Sequence, residues 1–259
     1  MNSPLDEKPL VGADRVLAVL VELGNHPAGV SLDDLTHRLS SSKPTIHRAL
    51  TALRRAGLAT QVSRGIYALG DEFVRLALRF QAGRPEGEVV EPALHDLVRR
   101  YNETAHFAVL EGAEVVYRAK VDPPEGGVRL TSVVGGRNPA YRTAVGKLLL
   151  SYTLEDPAAL RDLIGDGPLE ARTPTTITAV DELWAELQRT REREYAIDDQ
   201  ENELGINCVA VPVRWARSGR VIGAISVSAL VFRTPLDTLV ADIEAIQKIV
   251  DMATMEGSA

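Results

Sequence analysis

The chain has one cysteine, Cys208, in 259 residues, so no intrachain disulfide can form and a reducing cytoplasm is the expected compartment. Aromatic residues make up 5% of it, which leaves aliphatic side chains to fill the core. No apolar run approaches the roughly 18–20 residues that a bilayer span requires, so no membrane association is expected. The opening MNSPLDEKPL has no basic stretch followed by an apolar one, which argues against a signal peptide. A G-x-S-x-G nucleophile elbow is absent, and so is any ligand-spaced group of cysteines and histidines. No metal and no cofactor are therefore expected.

Acidic residues are missing from one stretch in particular. From Leu35 to Gly70 there is no Asp or Glu, but there are Arg38, Lys43, Arg48, Arg54, Arg55 and Arg64. Residues 1–83 carry ten basic and eight acidic side chains, while the remainder carries nineteen and twenty-eight. A net charge of −7 excludes a protein that coats nucleic acid through bulk charge. The asymmetry points instead to a local anion-binding surface near the N-terminus.

Periodicity supplies the elements. Val16, Leu17, Val19, Leu20 and Leu23 give an apolar helical face over 14–23, ended by Gly24 and Pro27. Ser31 opens a second helix, three residues before Asp34, with Val30 and Leu35 spaced as a hydrophobic staple. Ser40-Ser41-Ser42 is a turn. A third helix begins near Lys43, with Ser41 or Ser42 expected to cap it and Pro44 tolerated in its first turn. Its buried stripe is Ile46, Ala49, Leu50 and Leu53. Two short strands over Leu58–Leu69 turn at Ser63-Arg64-Gly65. Asp71–Ala82 is a short helix apolar nearly all round, which favours a partner subunit.

Gly83-Arg84-Pro85-Glu86-Gly87 reads as a linker. Beyond it, the pattern predicts a helix over 89–101, paired strands over 105–110 and 115–121, and a strand over 128–134. Helices follow over 143–152 and 181–195, then a hairpin of 208–215 and 221–230 over Arg217-Ser218-Gly219, then one long helix over 235–255. Hairpins with helices gathered around them indicate an α+β class with an antiparallel sheet.

On the third helix, Pro44, Arg48, Thr51 and Arg55 lie opposite the buried stripe, flanked by Thr45. Arginine can grip guanine bidentately and threonine can meet a thymine methyl or a phosphate. Ser41, Ser42 and Lys43 at the helix start suit a backbone phosphate, and Arg64 on the hairpin can reach an adjacent groove. Such a face on one helix alone reads more readily as solvated charge. Three helices, a Ser-rich turn, a hairpin and an acid-free window together favour double-stranded DNA.

Three segments carry a family resemblance. They are Lys43–Leu50 (KPTIHRAL), Gly136–Lys147 (GRNPAYRTAVGK), and Ile197–Pro212 (IDDQENELGINCVAVP) with Ala224–Ser228 (AISVS) after it. Together they resemble the IclR family of bacterial transcriptional regulators over nearly the whole chain. The resemblance implies a winged helix-turn-helix domain (1–70), a linker helix and linker (71–87) and a GAF-like effector-binding domain (88–259). It also implies homodimers, often joined into tetramers, an operator near a metabolic operon, and regulation by a small metabolite. Repression is the commoner mode; activation is the alternative. By analogy with the family's glyoxylate-binding member, the ligand contacts fall on Ala144, Val145, Asp198, Cys208, Ser226 and Ser228. Amides at the start of the helix after Thr143 suit an anion, and Ser226 and Ser228 share one strand face. An organic or aromatic acid is the ligand class this chemistry favours.

Taken without the resemblance, Cys208 reads as a small buried hydrophobe. Ser226 and Ser228 read equally as the solvent side of an edge strand, and Asp198 as the cap of a local turn. Two positions depart from the family pattern. Arg142 stands where a small residue is usual; pointing inward it gives the pocket a fixed positive charge that favours an acid or a larger aromatic acid, but an outward position is expected because a buried unpaired guanidinium is costly. Ala229-Leu230 replace a frequent Gly-Pro. Two competing readings are an enzyme using Cys208 or a serine, and a DNA-binding protein whose second domain senses nothing.

Overall fold

The computed structural model describes residues 12–82, 86–124, 130–215 and 218–256. The N-terminal eleven residues, Gly83 to Pro85 of the linker, Val128 and Arg129 of an expected strand, and Arg217 of a hairpin tip lie outside these. Two compact units, Met1–Arg84 and Pro85–Ala259, divide the chain.

In the first unit, α1 (Gly12–Gly24), β1 (Val30–Ser31), α2 (Leu32–Arg38) and α3 (Lys43–Arg55) precede β2 (Ala59–Ser63), β3 (Ile66–Leu69) and α4 (Asp71–Ala82). Ser31 caps α2: its hydroxyl accepts from the Asp34 amide at 3.0 Å and donates to Asp34 Oδ2 at 2.6 Å. Pro44 sits in the first turn of α3, where no N–H is needed. Ile46, Ala49, Leu50 and Leu53 are all buried and pack with Val19, Leu23, Leu35 and Tyr67. The apolar face of α1 is narrower than its sequence suggests. Val19 and Leu23 are buried, whereas Leu17 and Val21 are exposed on the other side. The wing has a third strand, since β1 pairs with β3 to give the order β1-β3-β2. Two residues are too few for a periodicity signal.

The second unit begins with α5 (Glu86–Tyr101), β4 (Thr104–Glu111), β5 (Glu114–Val121) and β6 (Arg137–Pro139). A 3-10 turn over Ala140–Arg142 leads into α6 (Ala144–Thr153), α7 (Pro157–Ile164) and α8 (Val180–Arg193). Then come β7 (Ala196–Asp199), β8 (Ile206–Arg214), β9 (Val221–Leu230), α9 (Leu236–Ala241) and α10 (Ile243–Glu256). The six strands form one antiparallel sheet, β6-β5-β4-β9-β8-β7. Side chains alternate across it. Phe107, Val209, Val211, Ile225 and Val227 pack with α5 and α10, while Ala108, Ala210 and Ala224 pack with α6 and α8. Small residues on the α6 side let that helix approach the strands closely. At Gly223 any Cβ would lie 2.3 Å from the Phe107 ring, so β4 and β9 need glycine there.

Two expectations are corrected. The segment 130–134 is not a strand. It is an irregular run held by the Lys120 ammonium, which donates to the carbonyls of Leu130 and Ser132 at 2.8 Å each. The C-terminal helix is two helices broken at Asp242. The Asp242 carboxylate accepts from Arg100 Nε at 2.9 Å and Tyr101 Oη at 2.6 Å, on α5. Its carbonyl accepts from Ala245 and Ile246, which starts α10 afresh.

Candidate functional site

The outward side of α3 carries Arg48, Thr51 and Arg55, all exposed, and Arg64 is exposed on the wing. Arg48 Nε donates to the Pro44 carbonyl at 3.3 Å, and Thr51 Oγ1 to the His47 carbonyl at 2.8 Å. The helix start differs from expectation. Ser42 is the N-cap by backbone conformation, but neither its hydroxyl nor that of half-buried Ser41 caps the helix. Ser42 Oγ instead bonds Thr45 Oγ1 at 2.8 Å. The first-turn amides of α3 thus have no side-chain acceptor among the described residues. Lys43 pairs with Asp33 at 2.7 Å. Asp33 lies just outside the acid-free window in sequence and returns to it in space. Both partners are mostly exposed, so this pair is weak and exchangeable with a phosphate.

Helix α4 leaves Phe73, Val74, Leu76 and Leu78 exposed, from 39% to 59%. Four large apolar side chains on one exposed short helix exceed the scattered hydrophobes of an ordinary surface.

The second unit holds a cavity of about 290 Å³, lined by Ala144, Val145, Asp198, Cys208, Ser226 and Ser228 among others. Strand register builds its floor. Asp198 stands opposite Cys208, Cys208 opposite Ser228, and Ser226 opposite His106, all on the α6 side of the sheet. Because β9 lies between β4 and β8, its serines are buried rather than at an edge; Ser226 is 3% exposed and Ser228 5%.

The T-A-x-G-K segment builds the wall. The Thr143 hydroxyl accepts from the Gly146 amide at 3.1 Å and caps α6. Ala144 and Val145 then present first-turn N–H groups, which have no acceptor within the helix. A Cβ at Gly146 would lie 2.1 Å from the Ala140 carbonyl oxygen, so only glycine lets α6 start this close to the 3-10 turn. Lys147, 1% exposed, forms a buried ion pair with Glu201. The Glu201 carbonyl accepts from Thr176 Oγ1 at 2.6 Å, and its amide donates to Asp198 Oδ1 at 2.7 Å. The motif lysine therefore anchors the loop that carries Asp198.

Asp198 is both a turn cap and a cavity residue: Oδ1 also accepts from the Asn202 amide at 3.4 Å. Burial, reinforced by the Glu201 charge, pushes its carboxyl up to about 7, against the pull of Lys147 and two backbone amides. Near neutral pH it can therefore act as donor or acceptor. The Cys208 thiol donates to Ser228 Oγ at 3.1 Å, and burial holds it protonated. A buried neutral thiol is no nucleophile.

Several lining residues escaped the sequence reading. His106 bonds Ser132 Oγ at 2.7 Å and Ser228 Oγ at 3.4 Å, and its ring lies 4.9 Å from that of Tyr117. Burial, then the Lys120 charge, lowers its pKa to about 3, so the imidazole is neutral. A histidine in an alternating strand was the available signal, but nothing local tied it to a site. Arg142 is corrected: it is half-buried and lines the cavity, where its Nε donates to Asn202 Oδ1 at 3.0 Å. That partner removes part of the cost that argued for an outward position.

The IclR helix-turn-helix domain matches residues 12–63, and the bacterial transcriptional regulator IclR C-terminal domain matches residues 87–253. The chain belongs to the IclR family. The HTH-type transcriptional regulator XynR of Escherichia coli (strain K12) is 33% identical, over 85% of this chain and 86% of that protein. The DNA-binding transcriptional repressor YiaJ of the same strain is 30% identical, over 83% and 76%. An IclR homolog from Microbacterium hydrocarbonoxydans, solved with 4-hydroxybenzoate, shares the fold at a TM-score of 0.77 and 24% identity, over 93% and 99%. The inducer-binding domain of a PobR double mutant from Acinetobacter, solved with 3-hydroxybenzoic acid, aligns at a TM-score of 0.59 and 27% identity, over 66% and 97%. This IclR-family chain is a DNA-binding transcriptional regulator with a helix-turn-helix and an effector-binding domain, not an enzyme. Among its described residues, no helix is long and apolar enough to cross a membrane.

Proposed function

We propose that this regulator represses a metabolic operon and that an organic acid, aromatic acids included, binds the Asp198–Ser226 cavity and alters operator affinity. The observation that carries the reading is the cavity's chemistry. Ala144 and Val145, with first-turn amides, and Ser226 and Ser228, with their hydroxyls, line one cavity. A cavity of roughly 150 Å³ suffices for benzene, so about 290 Å³ accommodates a ring with its carboxylate and a hydroxyl. Similar proteins solved with hydroxybenzoates support that class, and the relative named a repressor supports the sign of regulation.

Operator reading falls to Arg48, Thr51 and Arg55, with Ser41, Ser42, Lys43 and Thr45 positioning phosphates and Arg64 on the wing. With so few cations, one copy binds weakly. The exposed face of α4 pairs two copies, setting two reading helices one DNA turn apart, and the dimers assemble further into tetramers.

The test combines a thermal-shift screen with fluorescence anisotropy on an operator selected from random-sequence DNA. An acid at 100 times its Kd stabilises the folded chain by about 2.7 kcal/mol, and the same acid should change operator affinity. Operator binding with no response to any hydroxybenzoate, keto acid or hydroxy acid would mean a second domain without a sensing role.

A further inference from the structure

The cavity holds more positive charge than a single carboxylate needs. Three arginines line it. Arg137 is committed to Glu111 and Glu114 through ion pairs at 2.6 and 3.4 Å. Arg142 gives only its Nε to an uncharged partner, Asn202, and among the described residues no carboxylate pairs with it. Arg172 stands exposed where the cavity opens, and no carboxylate among the described residues pairs with its guanidinium either. Against these two cations the lining offers exposed Glu203 and buried Asp198, whose burial favours its protonated form. Ser226 lines the same cavity and is 3% exposed, and its hydroxyl has no protein partner among the described residues. A hydroxyl and a guanidinium with free donors on the same cavity both offer hydrogen bonds to acceptors that a ligand supplies.

We propose that this cavity selects a ligand with two anionic groups, a dicarboxylate, with one carboxylate on Ser226 and the α6 amides and the second on Arg142, with Arg172 at the mouth. The proposal rests on reading the cavity as the effector site and adds the second anion. Arg142 is well placed for it. Its charge reaches Tyr117 on the cavity wall, where it opposes the rise in pKa that burial causes. Its fork, held through Nε, leaves the terminal nitrogens for a bidentate carboxylate.

The test is isothermal titration of the full-length chain with matched pairs: benzoate against benzene-1,3- and benzene-1,4-dicarboxylate, and hexanoate against hexanedioate. A charge-assisted bond in a partly buried site makes the diacid of at least one pair tighter by about tenfold or more. Arg142→Gln should bring that ratio close to one, and Arg142→Lys, which keeps the charge, should restore part of it. The wild-type ratios decide the matter even where a variant folds poorly. Monoacids that bind as tightly as their diacids overturn the second-anion site while leaving the effector cavity standing. A ratio that Arg142→Gln does not change overturns the role of Arg142. No binding by any acid overturns both readings.

Discussion

Replacing Lys147 by methionine tests the part of the motif that lies deepest. Lys147 and Glu201 are 1% and 8% exposed as side chains, and Glu201 Oε2 has no hydrogen-bond partner among the described residues. Methionine keeps most of the volume and leaves a buried carboxylate uncompensated. Breaking a buried pair from one side costs about 3–5 kcal/mol. For a unit of this size each kcal/mol lowers the Tm by about 2–4 °C, which places the effect at roughly 6–20 °C. The pH dependence distinguishes lost charge from lost packing. Burial already raises the Glu201 pKa with Lys147 present, and removing the ammonium raises it further. A carboxyl raised in the folded state gives stability that is present below its unfolded pKa and lost as pH rises through the folded one. The penalty of Lys147→Met should therefore be small near pH 4.5 and grow toward pH 8. Lys147→Met/Glu201→Gln should recover much of it. Urea melts of the three proteins between pH 4.5 and 8 provide the measurement. A pH-independent penalty, or none, would refute the reasoning that this lysine acts by neutralising Glu201.

Four further outcomes follow from the geometry. Gly146→Ala drives a Cβ into the Ala140 backbone and should cost about 1–3 kcal/mol or more, with loss of acid binding in calorimetry; a variant as stable as the parent contradicts the close approach. Arg48→Ala should weaken operator binding by about 1–3 kcal/mol in anisotropy at matched salt if Arg48 reads a base, whereas equal binding by both proteins removes that role. Asp198, raised to about 7, contributes stability that falls as pH rises through that value; Asp198→Asn should flatten the decline in denaturation between pH 5 and 8. His106, lowered to about 3, contributes stability that is present above about 6.5 and lost as pH falls below it. His106→Gln should remove that acid-side loss, and an unchanged profile would show that the imidazole is not the group titrating.

Local patterns carried the reading of the first unit. The stripe of Ile46, Ala49, Leu50 and Leu53 is a property of thirteen consecutive residues, and a 3.6-residue period alone fixes which side is buried. The same holds for the Ser31 cap, which spans three residues. In the second unit the family resemblance implied the cavity positions, and local backbone rules account for two of their features. Thr143 caps the helix it precedes, and Ser226 and Ser228 share a face because strands alternate. What failed depended on partners distant in the chain. No window around Asp242 announces a helix break, because Arg100 and Tyr101, about 140 residues earlier, cause it. The cost of burial argues for an outward Arg142, but Asn202, 60 residues on, accepts from its Nε and offsets part of that cost. The acid-free window ignored Asp33, which the turn between α2 and α3 brings back against Lys43.

The sequence by itself determined the class and the elements of the DNA-reading unit, since periodicity and capping are short-range, while its resemblance to the family implied six positions on the wall of one cavity. Only the tertiary structure decided what else lines that cavity and with what charge. His106, Tyr117, Arg142 and Arg172 come from separate segments, and strand register and helix packing alone bring them to one space. The single cysteine shows the same division. Its number excluded a disulfide from the outset, but only its burial beside Ser228 and Asp198 made it a neutral wall residue rather than a nucleophile.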